Sequence, residues 1–179
     1  MSNEQRQITI GTLLGKSFIV KLKGRNCFIT IPESQDINWL NYKTNIVDNL
    51  KNVFIKDNKR ILWRSRCNIY WNKIYEEFYE NGKKTIKMKI LDELRDNGLC
   101  TWFLDKGIFI KNQICLGTTV FGLQGNKIIH QYFNEVGIPC EIKKERNTGK
   151  ILFTKKGTEV LLATIVRASP EFMYYRMEP

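Results

Sequence analysis

Residues 96–107 read Asp96-Asn97-Gly98-Leu99-Cys100-Thr101-Trp102-Phe103-Leu104-Asp105-Lys106-Gly107, and how this stretch is read decides the fold. An apolar helical run ends abruptly on Asp-Lys-Gly, the pattern of a helix whose stop is fixed at a glycine. A shorter version near the N-terminus reads Gly11-Thr12-Leu13-Leu14-Gly15-Lys16-Ser17. Two helices of one kind, each closing on a lysine and a small residue, imply two halves. Gly11 and Gly15 stand four residues apart and so share a helix face. With Cys100 and Thr101 opposite, they would let two backbones pack closely.

Both stretches resemble the motifs of the LAGLIDADG homing endonucleases, in the branch that writes its first motif Leu-Leu-Gly-Asp-Gly and its second Trp-Phe-Met-Asp-Asp-Gly. The resemblance implies an α+β fold of two pseudo-symmetric αββαββα halves, with saddle-shaped antiparallel sheets that lie along duplex DNA. It also implies one acid per motif, just before the final glycine, as ligand of the catalytic Mg²⁺. Those slots hold Lys16 and Lys106 here. Carboxylates bind Mg²⁺ by hard oxygen ligation, and an ammonium has no lone pair to offer. The expectation is therefore no catalytic residue, no metal and no cofactor, with the two lysines facing phosphate at the centre of the saddle. Asp105 is one residue back, about 100° round the helix, and is not expected to inherit the role of the lost acid.

Length and composition agree with this reading. The 179 residues, 42% hydrophobic, can bury a core as one domain or as two fused halves. A formal charge of +11, from 29 basic and 18 acidic residues, points to a polyanionic partner, nucleic acid before an anionic membrane surface. No apolar run approaches the ~20 residues that cross a bilayer, and no signal-peptide pattern opens the chain, so an intracellular protein without a membrane partner is expected. Five cysteines with no Cys-x-x-Cys pair indicate neither a zinc site nor a disulfide framework. The single histidine, His130, excludes sites that need several imidazoles and receives no role.

Along the chain, Gln7 to Gly15 predicts the first motif helix. Ser17 to Lys23 and Arg25 to Ile31 predict a hairpin about Gly24, with Phe18, Val20 and Leu22 on an apolar face and Ile19, Lys21 and Lys23 on a basic one. A helix from Trp39 to Val53 follows, with Leu40, Ile46, Val47 and Leu50 as its stripe. A second hairpin, Val53 to Lys56 and Arg60 to Arg66, turns at Asp57-Asn58-Lys59. The span 51–73 carries seven basic residues against one acid, which is either a solvated face or a DNA contact. Asn68 to Tyr79 is an aromatic helix.

The phrase Phe78-Tyr79-Glu80-Asn81-Gly82-Lys83-Lys84 resembles the family's exit from its first half. Residues 1–82 and 91–179 are then the two halves and 83–90 the linker. The second half repeats the order, with a hairpin about Lys111-Asn112, a helix from Asn126 to Val136, a hairpin across Asn147-Thr148-Gly149 and a closing helix from Thr158 to Arg167. Its ending, Ser169 to Met177, resembles the family's Pro-x-Met-x-Tyr-Lys tail.

The function expected is a catalytically inactive, monomeric protein that binds double-stranded DNA sequence-selectively, as a DNA-binding regulator. Alternate strand residues would meet the major groove, with Arg and Gln reading bases and Lys holding phosphates. The candidates are Lys16, Lys21, Lys23, Arg25, Arg64, Arg66, Lys106, Lys111, Gln113, Lys143, Arg146 and Lys150. Two other readings stay open: an intron-RNA maturase that binds structured RNA, and an active metal-dependent DNA endonuclease, which needs acids that the motifs lack. Docking on another protein, through the acidic patch of Asp92, Glu93 and Asp96, is a further possibility.

Overall fold

The first helix starts where its polar residues can cap it. In the computed structural model, which describes residues 1–33, 36–47, 53–57, 60–145 and 148–177, the Ser2 hydroxyl accepts from the Gln5 N–H at 3.1 Å. The Ser2 N–H donates in return to Gln5 Oε1 at 2.8 Å. This reciprocal cap satisfies two donors that would otherwise be orphaned, so α1 spans Asn3–Leu14 and begins before the expected Gln7.

The repeat order is the expected one. After α1 come β1 (Phe18–Val20), β2 (Phe28–Glu33), α2 (Ile37–Val47), β3 (Val53–Asp57), β4 (Arg60–Arg64) and α3 (Ile69–Phe78). A short hairpin, β5 (Tyr79–Glu80) and β6 (Lys83–Lys84), and α4 (Met88–Asp92) lead to the second unit. There α5 (Asp96–Lys106), β7 (Gly107–Ile110), β8 (Gln113–Leu116), α6 (Gly122–Glu135), β9 (Cys140–Glu145), β10 (Thr148–Phe153) and α7 (Lys155–Ala168) repeat the order, and a 3₁₀ turn over Glu171–Met177 ends the described chain. Both four-stranded sheets are antiparallel and share one topology, β1-β2-β4-β3 and β7-β8-β10-β9.

Each sheet buries one face on its helices. Ile29, Ile31 and Trp63 do so in the first unit, and Ile114, Ile151 and Phe153 in the second. Trp102 of α5 stacks on Phe133 of α6 with centroids 5.9 Å apart, and Phe133 meets Phe153 edge-on at 4.9 Å. Such rings combine large buried apolar area with a preferred geometry, which fixes helix against sheet.

Several boundaries differ from the sequence expectation. β1 stops at Val20, so the connection to β2 is a loop over 21–27 rather than a tight turn at Gly24. Its side chains are also reversed: Ile19 is buried opposite Ile29, and Phe18 is 42% exposed on the outer face. The short strand breaks the alternation before Lys21, and the Ile19 N–H finds its acceptor off the sheet, in the Tyr79 hydroxyl at 2.9 Å. The stretch expected as linker holds β6 and the start of α4. α7 begins at Lys155 because Thr154 caps it, its hydroxyl accepting from the Gly157 N–H at 3.1 Å. The far end of the helix expected to run to Val53, including Leu50, lies outside the described residues, as do Asn58, Lys59, Arg146 and Asn147.

Candidate nucleic-acid interface

The two motif helices pack side by side, and the glycines of α1 allow it. A methyl group at Gly11 would overlap the Gly98 carbonyl oxygen and lie 2.7 Å from Thr101 Cβ. One at Gly15 would lie 2.5 Å from Asp105 Oδ2 and 2.6 Å from its Cβ. Gly98, Thr101 and Asp105 thus form the stripe of α5 that meets these glycines. Thr101 is as expected. The buried Cys100 thiol lies beside Ser169, and burial pushes its pKa up to about 12.

At the far end of the pair, polar groups hold the helices together. Gln7 donates to the Glu93 carbonyl at 2.8 Å and accepts from the Arg95 N–H at 2.7 Å. Arg6 reaches Glu77 at 2.8 Å and Glu93 at 2.7 Å.

The near end holds a buried charge pair. Asp105 and Lys43 are both fully shielded from solvent at their side chains, with Lys43 Nζ 2.6 Å from Asp105 Oδ1. Trp39 Nε1 donates to the same oxygen at 2.7 Å. A first-unit helix, α2, therefore neutralises a second-unit carboxylate. Trp39 and Lys43 are four residues apart on one face of α2, which is why both reach it. The other oxygen, Oδ2, is buried with no hydrogen-bond partner among the described residues, but the Gly15 backbone is pressed against it. That donor set does not fit Mg²⁺: one carboxylate oxygen is taken by an ammonium and an indole, and the other has no space in front of it. Among the described residues, no three His, Cys, Asp or Glu side chains gather as a metal site.

Beyond the helix ends lies an open cleft of about 360 Å³. Lys16 and Lys106 both line it, which brings together the two motif lysines singled out in the sequence. Gly117, at the cleft wall, donates its N–H to the Lys106 carbonyl at 3.0 Å. A third lysine, Lys84 of β6, lines the same cleft, and sequence reasoning missed it. Its Nζ donates to the Ser17 carbonyl at 2.7 Å and lies 5.9 Å from the centre of the Phe121 ring. Burial, with repulsion from Lys106 added, pushes its pKa down to about 7, against a weaker opposing pull from Asp105. One signal could have found it. Asn81-Gly82, with both φ positive at 50° and 75°, makes a two-residue turn that folds Lys84 back beside Tyr79.

The other candidates divide. Arg64 lies across the first sheet from Thr30, its guanidinium 3.7 Å from the centre of the Phe28 ring. Lys143 and Lys150 pair directly across β9 and β10 on the outer face, the face that also carries Leu152 and, across from it through Cys115, the exposed Ile108. Lys111 occupies the tip of the β7–β8 hairpin, where it and Asn112 have φ of 48° and 63°. Lys23 and Arg25 are exposed on the 21–27 loop. Gln113 spends its amide donor on the Phe153 carbonyl at 2.8 Å.

Two candidates fall elsewhere. Lys21 turns back toward α3, 5.3 Å from the centre of the Tyr75 ring. Arg66 follows β4 and lines a pocket with Met1, Gln5 and Tyr70, at the opposite end of α1 from Lys16 and on the order of 15 Å away along its axis.

Comparison with known proteins agrees with this architecture. Residues 6–161 match the model of the LAGLIDADG DNA endonuclease family, and the chain belongs to that family. Among solved structures, the homing endonuclease I-WcaI bound to its DNA recognition sequence is similar at 20% identity, over 99% of this chain and 87% of that one, with a TM-score of 0.83. I-DmoI in complex with DNA and Mn is similar at 11% identity, over 94% and 99%, with a TM-score of 0.61. The N-terminal LAGLIDADG domain of DUF199/WhiA is similar at 13% identity, over 99% and 89%, with a TM-score of 0.59. At these identities the likeness shows the fold. Among curated proteins, comparison by sequence finds no match.

Proposed function

We propose that this protein binds double-stranded DNA sequence-selectively and does not cut it, acting as a DNA-binding regulator by occupancy. The observation that carries the reading is the cleft into which both motif helices deliver a lysine, Lys16 and Lys106, where two carboxylates would be needed to hold a metal against phosphate. Family membership and the DNA-bound state of the similar I-WcaI structure support duplex DNA as the ligand. The net charge of +11 supports it independently.

In this reading the lysines seat backbone phosphates at the centre of the footprint. Arg64 in the first sheet and the Lys143–Lys150 pair in the second face the flanking grooves, and Lys23, Arg25 and Lys111 extend the contact from loop and hairpin tips. No metal takes part. Asp105 acts inside the protein, where it locks α2 of one half to α5 of the other.

The reading is tested by measuring duplex binding across a salt series, with a structured RNA of equal length as competitor. Six to ten phosphate contacts would lose roughly three to five decades of affinity between about 50 and 200 mM salt. A supercoiled plasmid held with the protein in Mg²⁺ or Mn²⁺ should stay supercoiled. Preference for the RNA, or metal-dependent nicking by a clean preparation, would overturn the reading.

A further inference from the structure

The last helix of each half, α3 and α7, occupies the matching place in the repeat, and the two present different surfaces to solvent. In α3 the exposed positions after its first residue are Lys73 and Glu76, both charged. In α7 the exposed face is centred on Ala163. Val160 and Val166 lie three residues to either side of it, and Glu159 and Arg167 four residues to either side, all of them exposed. The valines are 38% and 40% exposed. The opposite side of α7 is spent on the core: Leu161 and Ile165 are buried, and the Thr158 hydroxyl accepts from the Ile114 N–H at 3.0 Å. α7 therefore covers the inner face of the second sheet, and its exposed side points away from the outer face that carries Lys143, Lys150 and Ile108.

We propose that this exposed face of α7 is an interface between two copies of the chain, packed antiparallel about a two-fold axis at Ala163. The face is self-complementary, as a contact between identical surfaces requires. Reversing the helix about Ala163 exchanges Val160 with Val166 and Glu159 with Arg167. Each valine then meets a valine of the second copy, and each carboxylate meets a guanidinium, which fixes register and orientation. Ala163 at the centre has only a methyl group to keep the two helices apart. Within one copy Arg167 is held loosely, 3.9 Å from Asp96 with both side chains mostly exposed, so it can turn to the carboxylate of the second copy at little cost. One helix per copy makes a small interface, and the dimer is weak and concentration-dependent. In place of the monomer expected from the sequence, it sets two copies back to back and leaves the outer sheet face of each open.

Sedimentation velocity over a concentration series, from low micromolar to several hundred micromolar, reads the association directly. The wild type should shift from monomer toward dimer as concentration rises, and less so at high salt, which screens the two ion pairs. Ala163→Glu and the single reversals Glu159→Arg and Arg167→Glu should stay monomeric throughout. Their unfolding midpoints should match the wild type, because all three positions are exposed. Mixing Glu159→Arg with Arg167→Glu should recover the dimer, since each variant then offers the charge that the other needs at both ends. The two reversals combined in one chain should recover it as well. A face that serves a different protein would leave the wild type monomeric at every concentration, and that result overturns the proposal. So does a mixture of the two reversals that associates no more than either variant alone.

Discussion

The two motif ends occupy matching places in the repeat and are filled differently. The first is Gly15-Lys16-Ser17, small and neutral beside its lysine. The second is Asp105-Lys106-Gly107, with a carboxylate in the place of Gly15. The first end gives up volume and the second fills it, since any side chain at Gly15 would run into Asp105. The charge that the second end brings is neutralised from the other half, by Lys43 and Trp39 of α2. The pseudo-symmetry holds where the lysines reach the cleft and breaks one residue earlier, where the halves are fastened together.

Breaking that fastening should have the largest effect. Lys43→Met would leave Asp105 buried and unpaired and should cost about 3–5 kcal/mol in chemical denaturation. Adding Asp105→Leu in the same chain should recover a large part of the loss. No loss in the single variant would mean that the pair is not formed. Gly15→Ala comes next, at about 1–3 kcal/mol, because the new methyl must push α1 off α5. Ala at the exposed Gly24, where nothing lies within 4 Å of a methyl, should cost only the strain of its φ of +70°. Equal losses at the two sites would show that the helix contact is looser than described.

The lysines should affect binding and leave folding alone. Lys16→Met and Lys106→Met should each weaken duplex binding and lower the salt slope by about 0.9. The unfolding midpoint should hold or rise, since like charges in one cleft are thinned. A drop confined to one lysine would show that the ends do not act as a pair. The smallest contrast separates two arginines two residues apart: Arg64→Ala should weaken binding by about 1–3 kcal/mol if it reads a base, and Arg66→Ala should leave it unchanged. Equal effects would contradict the placement of Arg66 beside Met1 and Gln5.

Much of the architecture was legible because the motif stretches carry their own stops. An apolar helical run that ends on Lys-Gly or Lys-Ser gives the helix, its end and the lysine's place there, and Gly11 and Gly15 give the contact. The Lys111-Asn112 turn was legible for the same local reason. What failed was non-local. The parity of β1 was set by Ile29 across the sheet and Tyr79 across the chain, and the residues around Phe18 show neither. Lys84 sat in a stretch read as linker. Lys43 was visible in principle: it lies on the buried stripe of α2 with Trp39, Leu40, Thr44 and Val47, and a lysine at core spacing needs an acid partner. The sequence does not say which acid, because the partner is 62 residues away in the other half.

In the proposed function, the saddle holds DNA at a centre built of lysines and leaves the strands whole. Its most direct test selects the tightest-bound duplex from a randomised pool, then incubates that duplex with excess protein in Mg²⁺ and resolves both strands on a denaturing gel. The expected outcome is an enriched sequence, saturated with protein, whose two strands remain full length at every time point. Metal-dependent breaks near the centre of the enriched sequence, or a pool that yields no enriched sequence, would contradict it.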